Sequence, residues 1–194
     1  MISPVVPEEM ATENRPILAK IGTYILEVMG WKITGELPAH PKVVFAVAPH
    51  TSNWDFIIAL CAMLHLQLKV SFMGKASIFI FPVRGLLLKL GGIPIDRSCP
   101  HGVVEQMAKE FERKEKLALG LAPEGTRSKT KEWKKGFLYI AKKANVPVVP
   151  VSFHFDKKEL KFHKAMNISG DIDEELVRVK SYFDTACAKN PQAV

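Results

Sequence analysis

The chain reads as an α/β domain, a largely parallel or mixed sheet flanked by helices. Short runs rich in Val, Ile and Leu alternate along it with longer segments of helical spacing. The strongest runs are residues 43–48, continuously apolar as in a strand covered on both faces, and 117–122 and 148–153, which also read as buried strands. Polar and glycine-bearing motifs follow directly after such runs, where loops at the carboxyl ends of parallel strands gather sites. With 194 residues, no repeat and no linker-like stretch, the sequence predicts one domain.

Residues 1–14, rich in Pro and Glu, read as a flexible tail, and the domain runs from 15 to 194. From Pro16, Ile17, Leu18, Ile21, Tyr24, Ile25, Val28 and Met29 keep helical spacing, with Lys20 and Glu27 off that face and Gly30 as a stop. Such a face packs on a core or, given Tyr24 and Trp31, lies in a membrane interface, so residues 15–31 are a candidate membrane-surface helix. Strands are predicted at 31–34 and 43–48, a helix at 53–66 and a brief strand at 70–73. Residues 76–90 are helical or mixed, broken at Pro82. A strand at 93–95, a helix at 103–114 and a strand at 117–122 follow. A helix at 136–144, a strand at 148–153 and a closing helix at 171–189 complete the reading.

A net charge of +7 calls for an anionic partner, and nucleic acid, anionic headgroups and phosphate-bearing cofactors satisfy it equally. The charge is uneven: residues 127–143 hold seven Lys or Arg against the single acid Glu132. A nucleic-acid role has no motif behind it, and these lysines are not interleaved with aromatic stacking platforms. Cys61, Cys99 and Cys187 are far apart and form neither a metal-binding CxxC nor a paired framework, which points to a reducing compartment. No secretory leader opens the chain. The longest uncharged stretch in its apolar half, 56–68, has 13 residues, short of the roughly 18–20 a membrane-spanning helix needs. The expected location is cytoplasmic, peripheral on the inner face of a membrane.

Four blocks carry chemistry. In Ala48-Pro49-His50-Thr51-Ser52-Asn53-Trp54-Asp55, a buried strand ends, Pro49 breaks it, and Ser52 or Asn53 caps a helix. Five residues on one helix would set His50 and Asp55 about 140° apart. They meet only if His50 stands in the loop and Asp55 in the first helical turn. A carboxylate on one imidazole nitrogen fixes the tautomer and raises basicity at the other, which suits a general base. Ser52 lacks a nucleophile's glycine elbow and reads as a cap. The second block, Gly91-Gly92-Ile93-Pro94-Ile95-Asp96-Arg97, delivers an arginine able to grip phosphate in bidentate fashion, or a salt bridge through Asp96. The third, Pro123-Glu124-Gly125-Thr126-Arg127-Ser128, supplies exposed amides, a hydroxyl and a cation, an anion cradle without the Gly-Lys-Ser/Thr signature of nucleotide phosphate loops. The fourth, Val146-Pro147-Val148-Val149-Pro150-Val151, is a buried strand with prolines at its margins.

In order and wording these four blocks resemble the glycerolipid acyltransferases typified by 1-acylglycerol-3-phosphate acyltransferase, over roughly half the chain. The resemblance implies a glycerolipid-acyltransferase-like fold and an O-acyltransferase that moves a fatty acyl group from acyl-CoA or acyl carrier protein to a lyso-lipid hydroxyl. No cofactor beyond the donor substrate and no metal is implied. His50 would be the base and Asp55 its orienting partner. Arg97, Glu124, Gly125, Thr126 and Arg127 would shape the acceptor site, and Lys75 would face the oxyanion of the tetrahedral intermediate. An anionic membrane surface is an expected partner; some relatives use a two-helix membrane anchor, whereas here one helix fits, and shallow docking through residues 16–31 and the apolar segment 78–90 is our hypothesis. Pro94 stands where the family often has an aromatic residue, so acceptor contacts differ there. An acceptor without phosphate, of the lyso-ornithine lipid type, would leave Arg97 and Arg127 without their partner. A non-catalytic lipid-binding protein would have no physical need for both His50 and Asp55.

Overall fold

The computed structural model describes residues 3–49, 52–96, 100–125 and 133–183. In chain order the elements are α1 (Pro16–Met29), β1 (Lys32–Gly35), β2 (Lys42–Ala48), α2 (Asn53–His65), β3 (Val70–Lys75) and a 3-10 turn (Ala76–Ile78). Then come α3 (Arg84–Lys89), β4 (Gly92–Ile95), α4 (Pro100–Arg113), β5 (Leu117–Leu121), α5 (Gly136–Ala144), β6 (Val148–His154), β7 (Glu159–Phe162) and α6 (Ile172–Lys180). Among the described residues, seven strands form one sheet in the order β1-β7-β6-β2-β5-β3-β4. Every neighbouring pair is parallel except β6 and β7, which makes the sheet mixed.

β2 is the centre of the sheet, and its sequence says why. Val43, Val44, Phe45 and Ala46 are all buried, because successive side chains enter two different cores. Val44 joins Leu119, Val148, Met107, Phe111 and Leu138 on the α4–α5 face. Val43 and Phe45 join Val149, Phe153, Ile58 and Leu26 on the α1–α2 face. Emptying either core is costly: truncating the fully buried Phe111 or Phe153 to Ala is worth about 3–5 kcal/mol.

The structure departs from the sequence expectations at three places and decides one that was open, the face α1 turns inward. α1 forms where expected, but it turns Gly22 and Leu26 inward, while Ile17, Ile21, Tyr24 and Val28 stay exposed. Gly22 decides this orientation, because a Cβ there would lie 2.6 Å from the Cys61 carbonyl oxygen, so α1 and α2 meet at a position only Gly fills without a shift. Residues 10–13, inside the stretch expected to be a flexible tail, are docked. Met10 is fully buried, Thr12 bridges to Leu68, and the Glu13 amide donates to the Gln67 carbonyl at 2.9 Å. β7 has no counterpart among the expected elements, because its four residues carry only Leu160 and Phe162 as inward anchors. Finally, α6 ends at Lys180 and turns through Ser181, short of the helix expected to 189; residues beyond 183 lie outside the description. Its start is as read: Asp171 caps it by accepting from the amides of Asp173 and Glu174.

Candidate active site

The strand order brings the motif-bearing strand ends together. β2, β5, β3 and β4 are consecutive parallel neighbours, so all four release their chains at the same edge of the sheet. Ala46 pairs with Leu121, Phe72 with Gly120, and Lys75 with Ile95. Continuing that register puts Ala48, Pro123, Lys75 and Ile95 at one level, each just before or within a motif. At about 4.8 Å per strand, the chain leading to His50 emerges roughly 5 Å from Glu124–Gly125, roughly 10 Å from Lys75 and roughly 14 Å from the exit toward Arg97. That is a shallow row about the size of a small polar headgroup and its flanking bond.

Asp55 anchors the first block. It is the third residue of α2 and completely buried. Its Oδ2 accepts from the Ser52 amide at 2.7 Å, and its Oδ1 accepts from the Ser52 hydroxyl at 2.8 Å. The Ser52 hydroxyl oxygen in turn accepts from the Trp54 amide at 3.2 Å, closing a capping box. The carboxylate is thereby locked in rotamer and seated at the positive end of the helix. Ser52 is the cap the sequence suggested. His50 and Thr51 lie outside the described residues; Pro49 before them is buried and Ser52 after them half-buried.

Lys75 ends β3, exposed, and begins the 3-10 turn. Glu124 is buried, and Gly125 follows it with φ +66°. The Gly125 amide donates to the Ala122 carbonyl, and the Lys134 amide donates to the Pro123 carbonyl at 2.8 Å. The Lys134 side chain lies across Gly125 so closely that a Cβ there would meet it at 2.8 Å. A side chain at 125 would thus be strained in its backbone and blocked by a cation. Arg97, Thr126 and Arg127 lie outside the described residues. The register therefore sets Lys75, Glu124 and Gly125 at neighbouring strand ends, with Asp55 in the first turn of the helix that follows β2. Lys134, from the basic run, joins them. Among the described residues no group of three or more His, Cys, Asp or Glu could hold a metal ion.

One polar cluster escaped the sequence reading. Ser152 of β6 pairs in register with Ala48, one strand across from the His50 exit. Its hydroxyl lies 2.8 Å from Nε2 of both His154 and His163. One hydroxyl proton serves only one of them, so the other ring must donate to Ser152. His154 Nδ1 is buried without a partner among the described residues. A bare lone pair there costs less than a buried N–H, which favours His154 as donor and His163 as acceptor. Burial, then the nearby charges of Lys161 and His154, push His163 down to about 4, with Glu159 opposing. The only hint in the sequence was polar residues at every second position of the 150–154 strand.

Comparisons with known proteins bear on the family and the fold. The family model described as Acyltransferase matches residues 31–154. The chain belongs to the Acyltransferase family. A chloroplastic 1-acyl-sn-glycerol-3-phosphate acyltransferase of Brassica napus is 34% identical over 108 residues, covering 53% of this chain and 31% of that protein. A 1-acyl-sn-glycerol-3-phosphate acyltransferase of Cocos nucifera is 42% identical over 84 residues, 40% of this chain and 27% of that protein. The Escherichia coli protein of the same name is 28% identical over 128 residues, 62% of this chain and 51% of that protein. The chain thus spans between about a quarter and a half of the length of these relatives. The crystal structure of the 1-acyl-sn-glycerophosphate acyltransferase of Thermotoga maritima shares the fold, with a TM-score of 0.58 at 21% identity over 86% of this chain and 75% of that one.

Proposed function

We propose that this member of the Acyltransferase family is an O-acyltransferase that moves a fatty acyl group from a thioester to the free hydroxyl of a lysophospholipid such as 1-acylglycerol-3-phosphate. The observation that carries the reading is the row of adjacent parallel strand ends that lead into the first three blocks and Lys75. Asp55 is locked in the first turn of α2, five residues after His50 in the sequence. In this mechanism Asp55 orients His50, and His50 takes the proton of the acceptor hydroxyl as its oxygen attacks the thioester carbonyl. Lys75 offsets the negative charge on the tetrahedral oxygen. The C–S bond then breaks, the acyl group stays on the acceptor, and the leaving thiolate is protonated from His50. No covalent enzyme intermediate forms. Arg97 and Arg127 hold the acceptor phosphate, while Glu124, Gly125 and Thr126 shape its cradle, with Lys134 alongside.

The donor is acyl-CoA or acyl carrier protein; the basic stretch from Arg127 suits the phosphates of one and the acidic surface of the other. The exposed apolar stripe of α1 supports a peripheral position on the inner face of an anionic membrane. No described helix is long and apolar enough to cross one. The test is thiol release from a panel of acyl-CoA and acyl carrier protein donors, with and without lysophosphatidic acid, in wild type and His50→Ala. Release that needs the acceptor and disappears in the variant supports the reading. Release with a lyso-ornithine lipid but not with lysophosphatidic acid would reassign the acceptor. Silence with every donor and acceptor would leave a lipid-binding protein.

A further inference from the structure

Between Phe56 and Ile95 the sequence contains no Asp or Glu, but it holds Lys69, Lys75, Arg84 and Lys89. Within that acid-free stretch, every residue from 80 to 90 except Leu87 is exposed. The exposed set is mostly apolar: Ile80 is 62% exposed, Phe81 92%, Val83 45%, Leu86 59% and Leu90 52%. Contiguous apolar surface of this kind is uncommon on a protein that meets only water. Nor is the segment a loose loop. Phe79, at its base, is buried, and its ring fills a slot made by two glycines on paired strands. A Cβ on Gly74 of β3 would lie 2.6 Å from that ring, and one on Gly92 of β4 would lie 2.9 Å from it. Amides of Arg84, Leu87, Leu90 and Gly91 donate back along the segment and hold its shape. The result is a finger with a fixed root, an apolar tip and cationic flanks.

We infer that residues 78–90 form a bilayer-inserting finger, a lipid contact separate from α1, whose apolar tip enters the acyl region while Arg84 and Lys89 meet anionic headgroups. The inference rests on the proposed lipid function, and it adds the surface by which the site is seated. The root adjoins Lys75, the last residue of β3, so insertion would bring the edge of the sheet that carries the site against the headgroup layer. Apolar burial drives the insertion and cationic pairing adds to it, the combination that holds interfacial segments in place.

The test uses flotation of the full chain with vesicles of equal parts phosphatidylglycerol and phosphatidylcholine. Phe81→Glu should lower the partition at least tenfold, the weight of one large apolar side chain leaving the membrane. Arg84→Gln and Lys89→Gln should each lower it about fivefold at low salt and less at high salt. In Phe81→Trp, the new fluorescence should shift to the blue on binding and be quenched by brominated lipid. Phe81 is exposed, so an unchanged melting temperature should accompany all four variants. Unchanged partition in Phe81→Glu together with an unquenched tryptophan would overturn the finger and leave α1 as the contact. Failure of the wild type to float would also overturn it. Thiol release from short-chain donor and acceptor dissolved as monomers reports the acyltransferase reading separately. Phe81→Glu should leave that release unchanged while losing activity on acceptor held in vesicles.

Discussion

Replacing Asp55 by Asn separates the two jobs the structure gives this residue. Asp55 accepts two hydrogen bonds from Ser52, at 2.7 and 2.8 Å, while wholly buried. Asn keeps one carbonyl oxygen and points an NH2 group at the second donor, so one charge-assisted bond is lost and two donors face each other. A hydrogen bond to a charged group is worth about 1.5–3 kcal/mol. For a chain of this size each kcal/mol moves the melting temperature by about 2–4 °C, giving a drop of about 3–12 °C. The catalytic effect is separate: without the carboxylate the His50 imidazole loses its tautomer and orientation, which should lower kcat by about 10²–10⁴. Ser52→Ala is the comparison. It removes the cap and one bond to Asp55, costs about 0.5–2 kcal/mol, and leaves the charge in place. Thermal unfolding by circular dichroism and thiol release at 25 °C, where all three proteins are folded, measure the two effects. If Ser52→Ala loses as much kcat as Asp55→Asn, Asp55 acts only as a helix cap and the catalytic pairing is wrong.

Lys75→Met should lower kcat by about 10²–10³ while the melting temperature holds, because the side chain is exposed; an unchanged kcat in steady-state thiol release would remove Lys75 from the oxyanion role. Gly125→Ala should cost about 1–2 kcal/mol from its φ of +66° and raise KM for the phosphate-bearing acceptor, because the new methyl displaces Lys134. An acceptor titration reads that KM. Gly22→Leu should destabilise by about 1–3 kcal/mol through overpacking of α1 on α2, read as a lower urea midpoint with the slope retained. His163 is held near 4 in the fold and titrates near 6.5 when unfolded, so the unfolded chain binds the extra proton first. Its contribution is therefore full above pH 6.5 and is lost as pH falls toward 4. Melting curves across that window should flatten in His163→Gln.

What the sequence made legible follows from the range of the interactions involved. The first three blocks each follow one strand, so local signals of burial, proline and glycine single out His50–Asp55 and Glu124–Gly125, whereas Lys75 is singled out only by the family resemblance. Which strand neighbours which is a long-range matter. That β5 lies between β2 and β3, putting Glu124 and Gly125 between the His50 exit and Lys75, could not be read from spacing. The Ser152–His154–His163 cluster was invisible for the same reason, since it exists only because β7 folds back antiparallel on β6. α1 gives a different lesson. Periodicity grouped Ile17, Ile21, Tyr24 and Val28 correctly on one face, but a period cannot say which face turns inward. A residue with no side chain, Gly22, set the answer.

The helix that carries Asp55 ties these features together. Its inward residues Asp55, Ile58, Cys61 and Ala62 are buried, and burial pushes the Cys61 thiol up. Its outward residues Trp54, Phe56, Ile57 and Leu60 are also apolar, yet exposed. A helix that is apolar all round needs cover on all sides. α1 supplies only part of it, through Gly22 and Leu26, and presents its own apolar stripe outward. An aqueous substrate gives no reason to leave such surface beside the buried Asp55 carboxylate, whereas the proposed lipid acceptor does. The outer faces of α1 and α2 would lie against the acyl chains whose headgroups the site must reach. On this argument apolar exposure and catalysis are one design. Charging the outer face of α2, for example by Phe56→Glu, should therefore depress turnover of vesicle-held acceptor far more than that of a monomeric one.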